Sequence, residues 1–403
     1  MLLLALSLPL CCGLLDPNRL DPSSDLRDDW PQWGGPARNG VSSETKWSSK
    51  GKSEPLWKIQ IGIGYSSVAV HQKRVYTLGF DKDMGLDVVF CLDATTGEEL
   101  WTHTYAAKIW DLYHGGGTLT TPSVDGEHVY VSEREGWLHC LSAETGAVVW
   151  AKQTTQEFKL DAPQWGFSAS PLVLGQAVIL NYGKVFAFDK QKGTTLWQSQ
   201  KSYGDAYSTP IDFEFKKQPA LAVFGGKGLV VLSPADGSEL AFTPWETRYD
   251  VNAMTPVVLD SRLFISSGYD KGCALLDFSG SEPKLTWENK SMKNQMSGCV
   301  PWQGHLFGFD DKVLKCIDLA GEERWRERGL GQGALSLADG RLLVMSEEGE
   351  LIVAEATPAA YRELSRSKVF DGGICWTVPV LSEGIVYVRN HAGELAALDH
   401  RLP

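Results

Sequence analysis

The sequence has no cluster of basic residues, and its formal net charge is −12. Proteins that bind nucleic acid or anionic membranes neutralise phosphate groups with patches of Lys and Arg. We therefore expect neither nucleic acid nor an anionic membrane surface to be the main partner. Beyond residues 1–15 the sequence also lacks a run apolar enough to cross a bilayer, which predicts no transmembrane span.

Several signatures of enzymatic chemistry are missing as well. No Cys-x-x-Cys occurs, so the sequence indicates neither a thiolate zinc site nor haem attachment. The three glycines at 115–117 are not followed by Lys-Ser or Lys-Thr, as a phosphate loop requires, and there is no Gly-x-Ser-x-Gly elbow. His103, Asp111 and His114 are metal-ligating residue types, but their spacing has no strong precedent, and we predict no metal.

What the chain does contain is a repeat with a period near 45 residues. One copy begins at Thr121-Pro122-Ser123, passes through Glu144-Thr145-Gly146 and ends at Trp150. Each copy holds four short β-like runs, which is the pattern of one propeller blade. The sequence therefore predicts an all-β fold, an eight-bladed β-propeller of four-stranded antiparallel blades.

A shared turn follows the third strand of each copy. An Asp or Ser there hydrogen-bonds to the amides ahead of it, a Gly takes positive φ, and the aromatic residue that opens the fourth strand packs on the next blade. We interpret these acidic residues as structural. The turn position is held by Asp93, Ser142, Asp189, Ser233, Asp277, Asp318, Glu355 and Asp399.

The last copy, Trp376 to Asp399, stops after three strands, whereas residues 55–59 read as a fourth strand with nothing before it. We predict that this N-terminal strand completes the last blade and closes the ring, which removes exposed sheet edges. The domains are then a signal-like apolar segment at 1–15, a linker and loop-rich N-terminal segment at 16–53, and the propeller at 54–403. We expect a monomer.

The apolar residues 1–15 suit a secretory segment and predict a secreted or periplasmic protein. Cys11 and Cys12 suggest lipoprotein anchoring, but Leu10 is not the small residue that lipid attachment sites usually need. Among the other cysteines, Cys91 and Cys140 occupy the same buried repeat position on different blades, as does Cys316, which argues against a disulfide network.

In a propeller, the loops from the outer strand of one blade to the inner strand of the next gather on one face around the channel. Here these loops are rich in aromatic, amide and carboxylate side chains, which suits a small polar ligand such as a sugar or polar ring compound. The alternative is ordinary solvated loop residues. The candidate ligand-binding residues are His103, Asp111, His114, Asp161, Trp165, Tyr207, Asn252, Asn294 and Trp376.

The repeats at 93–101 and 142–150, Asp-Ala-Thr-Thr-Gly-Glu-Glu-Leu-Trp and Ser-Ala-Glu-Thr-Gly-Ala-Val-Val-Trp, resemble PQQ-type β-propeller repeats. Quinoprotein alcohol dehydrogenases and the outer-membrane assembly lipoprotein of Gram-negative bacteria share these repeats. The segments 29–36, 267–269, 307–310 and 387–390 look similar to the secreted PQQ-like propellers of planctomycetes and related bacteria. The resemblance implies an extracytoplasmic eight-bladed propeller without an established reaction.

The quinoprotein enzymes hold PQQ between a Trp floor and a disulfide of adjacent cysteines, with Ca²⁺ bound by Glu, Asn and Asp beside a catalytic Asp. Cys11 and Cys12 are the only adjacent cysteines here, and no Ca²⁺ triad matches residue by residue. Trp165 and Trp376 are candidates for a stacking floor. The catalytic residues stay unknown, and PQQ with Ca²⁺ is not supported by specific residues.

These observations lead to three hypotheses about the function of the protein. The first is a non-catalytic propeller that binds a small polar ligand or an envelope protein through its channel face. The second is a PQQ- and Ca²⁺-dependent quinoprotein dehydrogenase of alcohols or sugars. The third is a cell-envelope scaffold similar to the assembly lipoprotein, with partners bound by strand addition or in loop grooves. We favour the first, without enzymatic activity.

Overall fold

The structure is a computed structural model that describes residues 29–52, 54–109 and 113–403. Its strands form eight sheets arranged as the blades of a propeller, as predicted, and each blade is antiparallel. One sheet has a fifth, parallel strand from the N-terminal segment. The strands of blades 1 to 4 are β3 (Ala69–His71), β4 (Arg74–Asp81), β5 (Leu86–Asp93), β6 (Glu99–Ala106), β7 (Ser123–Asp125), β8 (His128–Ser132), β9 (Trp137–Ser142), β10 (Val148–Gln153), β11 (Leu172–Leu174), β12 (Ala177–Tyr182), β13 (Lys184–Asp189), β14 (Thr195–Gln198), β15 (Ile211–Phe215), β16 (Gln218–Gly225), β17 (Gly228–Leu232) and β18 (Glu239–Pro244).

Blades 5 to 8 continue the pattern, and two further strands come from the N-terminal segment. A short helix, α1 (Thr154–Phe158), and a 3-10 turn (Arg248–Asp250) lie in loops. The remaining strands are β1 (Val41–Ser42), β2 (Trp57–Gln60), β19 (Val257–Leu259), β20 (Arg262–Ser267), β21 (Gly272–Asp277), β22 (Lys284–Asn289), β23 (Cys299–Trp302), β24 (His305–Asp310), β25 (Val313–Asp318), β26 (Glu323–Glu327), β27 (Ala334–Ala338), β28 (Arg341–Met345), β29 (Glu350–Glu355), β30 (Glu363–Lys368), β31 (Val380–Ser382), β32 (Ile385–Arg389) and β33 (Glu394–Asp399).

The burial pattern explains why the strands differ in composition. The second and third strands of a blade, such as β8 and β9, are buried on both faces because neighbouring blades cover them, and they are nearly continuous apolar runs. The fourth strand has a solvent edge, and along β6 exposed residues alternate with more buried ones. Among the described residues, no helix is long and apolar enough to cross a membrane.

The repeated Trp and Gly form a single joint between neighbouring blades. The Trp101 indole of blade 1 donates a hydrogen bond to Ala143 O in the turn of blade 2, at 3.0 Å. Gly146 of the same turn lies against the Trp101 ring, so close that a Cβ there would come within 2.5 Å of it. The same indole-to-turn bond is made by Trp57, Trp150, Trp197, Trp287 and Trp325. The prediction that these residues serve turns and blade packing is confirmed.

The N-terminal strand closes the ring, as predicted. Strand β2 pairs antiparallel with β33, with Trp57 opposite Ala397, and completes blade 8. The Trp57 indole then donates to Ala94 O of blade 1 at 3.1 Å, so blade 8 is joined to blade 1 by the same indole-to-turn contact that joins five other pairs of neighbouring blades.

Residues 29–42 cross the end of the channel opposite the connecting loops. Trp30 pairs with Val70 of blade 1, and Arg38 forms an ion pair of 2.7 Å with Asp212 of blade 4. Val41 of β1 pairs in parallel with β27 of blade 7. This part of the N-terminal segment therefore packs on the propeller and covers one mouth of its channel.

Trp47 takes part in the core between blades 7 and 8. Blade 7 has the irregular turn at Pro358 and no Trp at the start of β30. The buried Trp47 ring packs in the same apolar cluster as Met345 and Leu398, which belong to blades 7 and 8. The N-terminal segment thus supplies the aromatic ring that this copy of the repeat lacks.

The six cysteines among the described residues are buried free thiols. Cys91, Cys140 and Cys316 occupy equivalent places, each opposite the blade Trp of the adjacent fourth strand. Cys11 and Cys12 lie outside the described residues.

Candidate functional site

A cavity of about 200 Å³ occupies the channel. Residues from the connecting loops of several blades line it, together with Trp33 of the N-terminal segment. It is smaller than the roughly 300–1,000 Å³ typical of sites for drug-sized ligands. Its aromatic lining consists of Trp33, Tyr65, His114, Trp165, Tyr207, Tyr269 and Trp376.

Trp33 closes the cavity on the side of the N-terminal segment. Its indole Nε1 donates a hydrogen bond of 3.0 Å to Thr255 Oγ1, at the entry to blade 5, which fixes the ring. The loop aromatics lie in contact with one another: Tyr65 stacks on Trp376 with centroids 5.4 Å apart, and Trp165 meets Tyr207 edge-on at 6.0 Å. The cavity therefore has aromatic walls and an aromatic floor.

Hydroxyl groups at the entries to blades 2 to 4 form a chain of hydrogen bonds beside the cavity. Thr121 Oγ1 accepts from Ser67 N at 3.2 Å, Ser170 Oγ accepts from Thr121 N at 2.9 Å, and Thr209 Oγ1 accepts from Ser170 N at 3.0 Å. In the sequence these hydroxyl residues precede Pro122, Pro171 and Pro210 at the start of each copy. This repeated Ser/Thr-Pro pair was the signal that sequence analysis missed.

Two polar atoms of lining residues have no partner. Trp165 Nε1 and Thr377 Oγ1 are buried and make no hydrogen bond with the described residues. A buried polar group without a partner costs about 1–3 kcal/mol. The protein thus leaves two hydrogen-bonding groups in the cavity wall unsatisfied, and a polar ligand or a bound water that displaces the neighbouring atoms would satisfy them.

The described lining residues carry no carboxylate, and their one guanidinium is already paired. Arg134 donates two hydrogen bonds to Asp87, at 2.7 and 2.9 Å, and both side chains are fully buried. Burial lowers the pKa of His114 below its usual value, which favours the neutral ring. The cavity is therefore lined by uncharged or charge-compensated groups and favours an uncharged ligand.

The structure brings four of the predicted site residues together in this cavity: His114, Trp165, Tyr207 and Trp376. Trp376 is oriented by a hydrogen bond from its Nε1 to Glu347 Oε1, at 3.1 Å. The carboxylate that orients Trp376 does not itself line the cavity.

The other predicted residues lie elsewhere. Strand β6 continues to Ala106, so His103 lies in a strand and not in the connecting loop in which sequence analysis placed it. Asp161 lines a separate cavity of about 270 Å³. Asp111 lies outside the described residues.

Asn252 and Asn294 are buried structural groups beneath the loops. Asn252 Nδ2 donates to Gly225 O at 2.9 Å, and its Oδ1 accepts from Ser267 Oγ at 2.6 Å. Asn294 Nδ2 donates to Phe309 O at 3.1 Å. Neither side chain lines the cavity, so both hold the loop backbone in place.

The cavity does not match the requirements of PQQ with Ca²⁺. The described residues contain no group of three or more His, Cys, Asp or Glu side chains placed to hold a metal ion. The described lining offers no carboxylate as a Ca²⁺ ligand, and Cys375, which neighbours Trp376, is a buried free thiol. Trp33, Trp165 and Trp376 provide stacking surfaces, but the hard oxygen ligands that Ca²⁺ prefers are missing from this set.

Comparison with known proteins gives relatives of two kinds. A quinohemoprotein alcohol dehydrogenase, ADH IIB of Pseudomonas putida, is 30% identical over 149 residues, which are 34% of this chain and 20% of that protein. The quinoprotein alcohol dehydrogenase PedH of the same species is 32% identical over 93 residues, 23% of this chain and 14% of that protein. The chain thus matches a fifth or less of the length of these curated relatives.

Solved structures share the fold at low identity. BamB from Moraxella catarrhalis superposes with a TM-score of 0.64 at 16% identity, over 86% of this chain and 99% of that one. The quinohemoprotein alcohol dehydrogenase from Comamonas testosteroni gives a TM-score of 0.67 at 13% identity, over 93% of this chain and 82% of that one. The family model of outer membrane protein assembly factor BamB, a PQQ-like repeat family, matches residues 85–320, more than half of the chain. The protein therefore belongs to this PQQ-like β-propeller family.

Proposed function

We propose that the protein binds a small, uncharged polar ring compound in the channel cavity, with a sugar as the best-fitting class, and that it acts by binding and not by redox catalysis. The observation that carries this proposal is the aromatic cavity with two unpartnered polar groups, Trp165 Nε1 and Thr377 Oγ1. Sugar rings stack on aromatic faces through their C–H groups and use hydroxyls as donors and acceptors at their edges. The lack of an unpaired charge among the described lining residues disfavours anionic ligands.

The test is a titration of the purified protein with neutral mono- and disaccharides, followed by ligand-observed NMR and calorimetry. Trp165→Phe keeps an aromatic ring but removes the Nε1 donor, and Thr377→Val keeps the shape but removes the hydroxyl. Each loses about one hydrogen bond, so we expect roughly a two- to tenfold weaker affinity. Trp302→Phe is the matched control, because Trp302 is partly buried in β23 and does not line the cavity.

Binding of PQQ with Ca²⁺, together with turnover of alcohols or sugars in a dye-reduction assay, would contradict the proposal and favour a dehydrogenase. A complete lack of sugar binding, or equal affinity of the two cavity variants and the wild type, would also refute it.

A protein partner is the second candidate function. It is supported by the family match over residues 85–320 and by the coverage of 99% of the BamB chain, whose family description is outer membrane protein assembly. This description also supports a periplasmic or secreted location. A pull-down from envelope extract that yields outer-membrane assembly proteins would favour this role, and light scattering would test the expected monomer.

A further inference from the structure

Two histidines depart from the repeat at the contact between blades 1 and 2. His103 lies in β6, two residues after the blade Trp, and His139 lies in β9, one residue before Cys140. Their rings meet across the contact with centroids 5.5 Å apart. At the position of His139, the other copies have Phe90, Phe186, Val230, Ala274, Lys315, Ile352 and Ala396. Neither turn chemistry nor blade packing therefore requires imidazole here.

This contact gathers polar atoms that have no partner. His103 Nε2 and both ring nitrogens of His139 are buried and make no hydrogen bond with the described residues. Each such group costs about 1–3 kcal/mol. Three such atoms on two neighbouring side chains indicate a site that a non-protein group completes.

The geometry fits a shared metal ion. Imidazole nitrogens bind Zn²⁺ at about 2.0–2.1 Å, so two rings in a tetrahedral arrangement have centroids roughly 5 Å apart. The His139 ring is held in place because Tyr105 stacks on it at 4.5 Å and Trp137 at 5.4 Å. His103 is partly exposed, so the pair lies close to the protein surface.

Both histidines supply imidazole nitrogens that have no hydrogen-bond partner among the described residues. Imidazole nitrogen is a ligand type that suits Zn²⁺ and Cu²⁺.

We infer that His103 and His139 bind one Zn²⁺ or Cu²⁺ ion between blades 1 and 2, with water completing the coordination. This site is separate from the channel cavity, because none of its residues lines that cavity. It does not depend on the proposed sugar binding. Spacing along the sequence did not reveal it, since the two ligands come from different blades.

The test uses the full-length protein without an affinity tag, stripped of metal, titrated with Zn²⁺ by calorimetry and with Cu²⁺ by electron paramagnetic resonance. We expect one ion per chain and nitrogen hyperfine structure in the Cu²⁺ spectrum. Loss of a group that merely supports a metal ligand weakens binding by about 10–100-fold, so loss of a ligand should weaken it at least tenfold. His139→Phe, which preserves the aromatic stack, and His103→Gln should each have this effect.

His305→Gln is the control, since His305 is a partly buried histidine of β24 outside this contact. Melting curves by circular dichroism verify that each variant is folded. If His139→Phe does not fold, the metal affinity of His103→Gln decides the outcome, because His103 is only partly buried. The inference is wrong if the wild type binds no ion at one per chain, or if both cluster variants bind with wild-type affinity.

Discussion

Gly146 and Trp101 show why the same few residue types recur around the ring. Gly146 has a φ of 72°, in the left-handed region, and a side chain there would also meet the Trp101 ring of the preceding blade. Glycine is thus required at this turn for two reasons: the backbone is in the left-handed region, and the Trp101 ring of the preceding blade leaves no room for a side chain. Gly97, Gly193 and Gly237 face Trp57, Trp150 and Trp197 in the same way.

Substitution of Gly146 by Ala should therefore destabilise the protein more than the same change at Gly126. Gly126 also has a positive φ, of 58°, but an added Cβ there would meet nothing within 4 Å. Both variants carry a backbone strain of about 1–2 kcal/mol. Gly146→Ala adds a steric clash of about 1–3 kcal/mol, which urea denaturation measures as a lower free energy of unfolding. Equal losses in the two variants would show that the Trp–Gly contact is not tight.

The buried pair of Arg134 and Asp87 leads to a second prediction for single residues. Both side chains are fully buried, and burial raises the pKa of Asp87 although the Arg134 guanidinium acts to lower it. Arg134→Met leaves the carboxyl without its partner, so we expect a loss of about 3–5 kcal/mol in the free energy of unfolding. The double variant Arg134→Met with Asp87→Asn should lose less than Arg134→Met alone, and a double variant that loses more would contradict this account.

Among the elements, the N-terminal segment is the one that repeats nowhere, and it makes the contacts that sequence analysis did not find. Trp33 and Trp47 come from a loop-rich stretch, and their places in the channel and between blades 7 and 8 depend on residues more than 200 positions away. By contrast, the order of the strands followed from the repeat itself, because Asp, Gly and Trp recur at fixed offsets. The same difference applies to the candidate site. The connecting loops were enough to select four residues that line the cavity, namely His114, Trp165, Tyr207 and Trp376. The loop sequence did not reveal that Asn252 is buried beneath the loop and does not line the cavity.

The contacts of Asp399 at the end of strand β33 predict how the attachment of the N-terminal segment to blade 8 depends on pH. Asp399 accepts hydrogen bonds from Arg401 Nε at 2.8 Å and from Lys52 Nζ at 2.5 Å, and these cations, Arg401 first, hold the pKa of its carboxyl well below the usual value. A depressed pKa means that the folded state favours the ionised group. The stability is therefore present above the unfolded-state pKa of about 3.9 and is lost as pH falls below it.

We accordingly expect the melting temperature of the wild type to fall more steeply than that of Asp399→Asn between pH 5 and the acid limit of folding, about pH 2. Asp189→Asn is the control, because Asp189 holds the same turn position without contact to the N-terminal segment. Parallel melting curves of the wild type and Asp399→Asn over that range would show that Asp399 does not link the segment to blade 8.

The whole molecule is a closed ring in which every blade packs against two neighbours, and its closure depends on strand β2. Strand β2 provides both the fourth strand of blade 8 and the Trp57 indole that bonds to blade 1. Without it, β33 would have an unpaired edge, and blade 1 would lose a neighbouring surface that includes Ile61 and Trp57. Opening the ring at one joint therefore exposes apolar core on two blades at once.

Deletion of residues 54–62 should for this reason destabilise the whole propeller and not one blade. We expect a large drop in the melting temperature, with circular dichroism and tryptophan fluorescence changing together in one transition. As a control, shortening the exposed hairpin tip at 82–85 removes chain from blade 1 without touching a blade interface, and it should change the melting temperature little. A truncated protein that melts at the wild-type temperature would refute closure by β2. Two separate melting transitions would mean that the blades stabilise each other only locally. In that case each blade would obtain most of its stability from its own sheet and from one neighbouring blade.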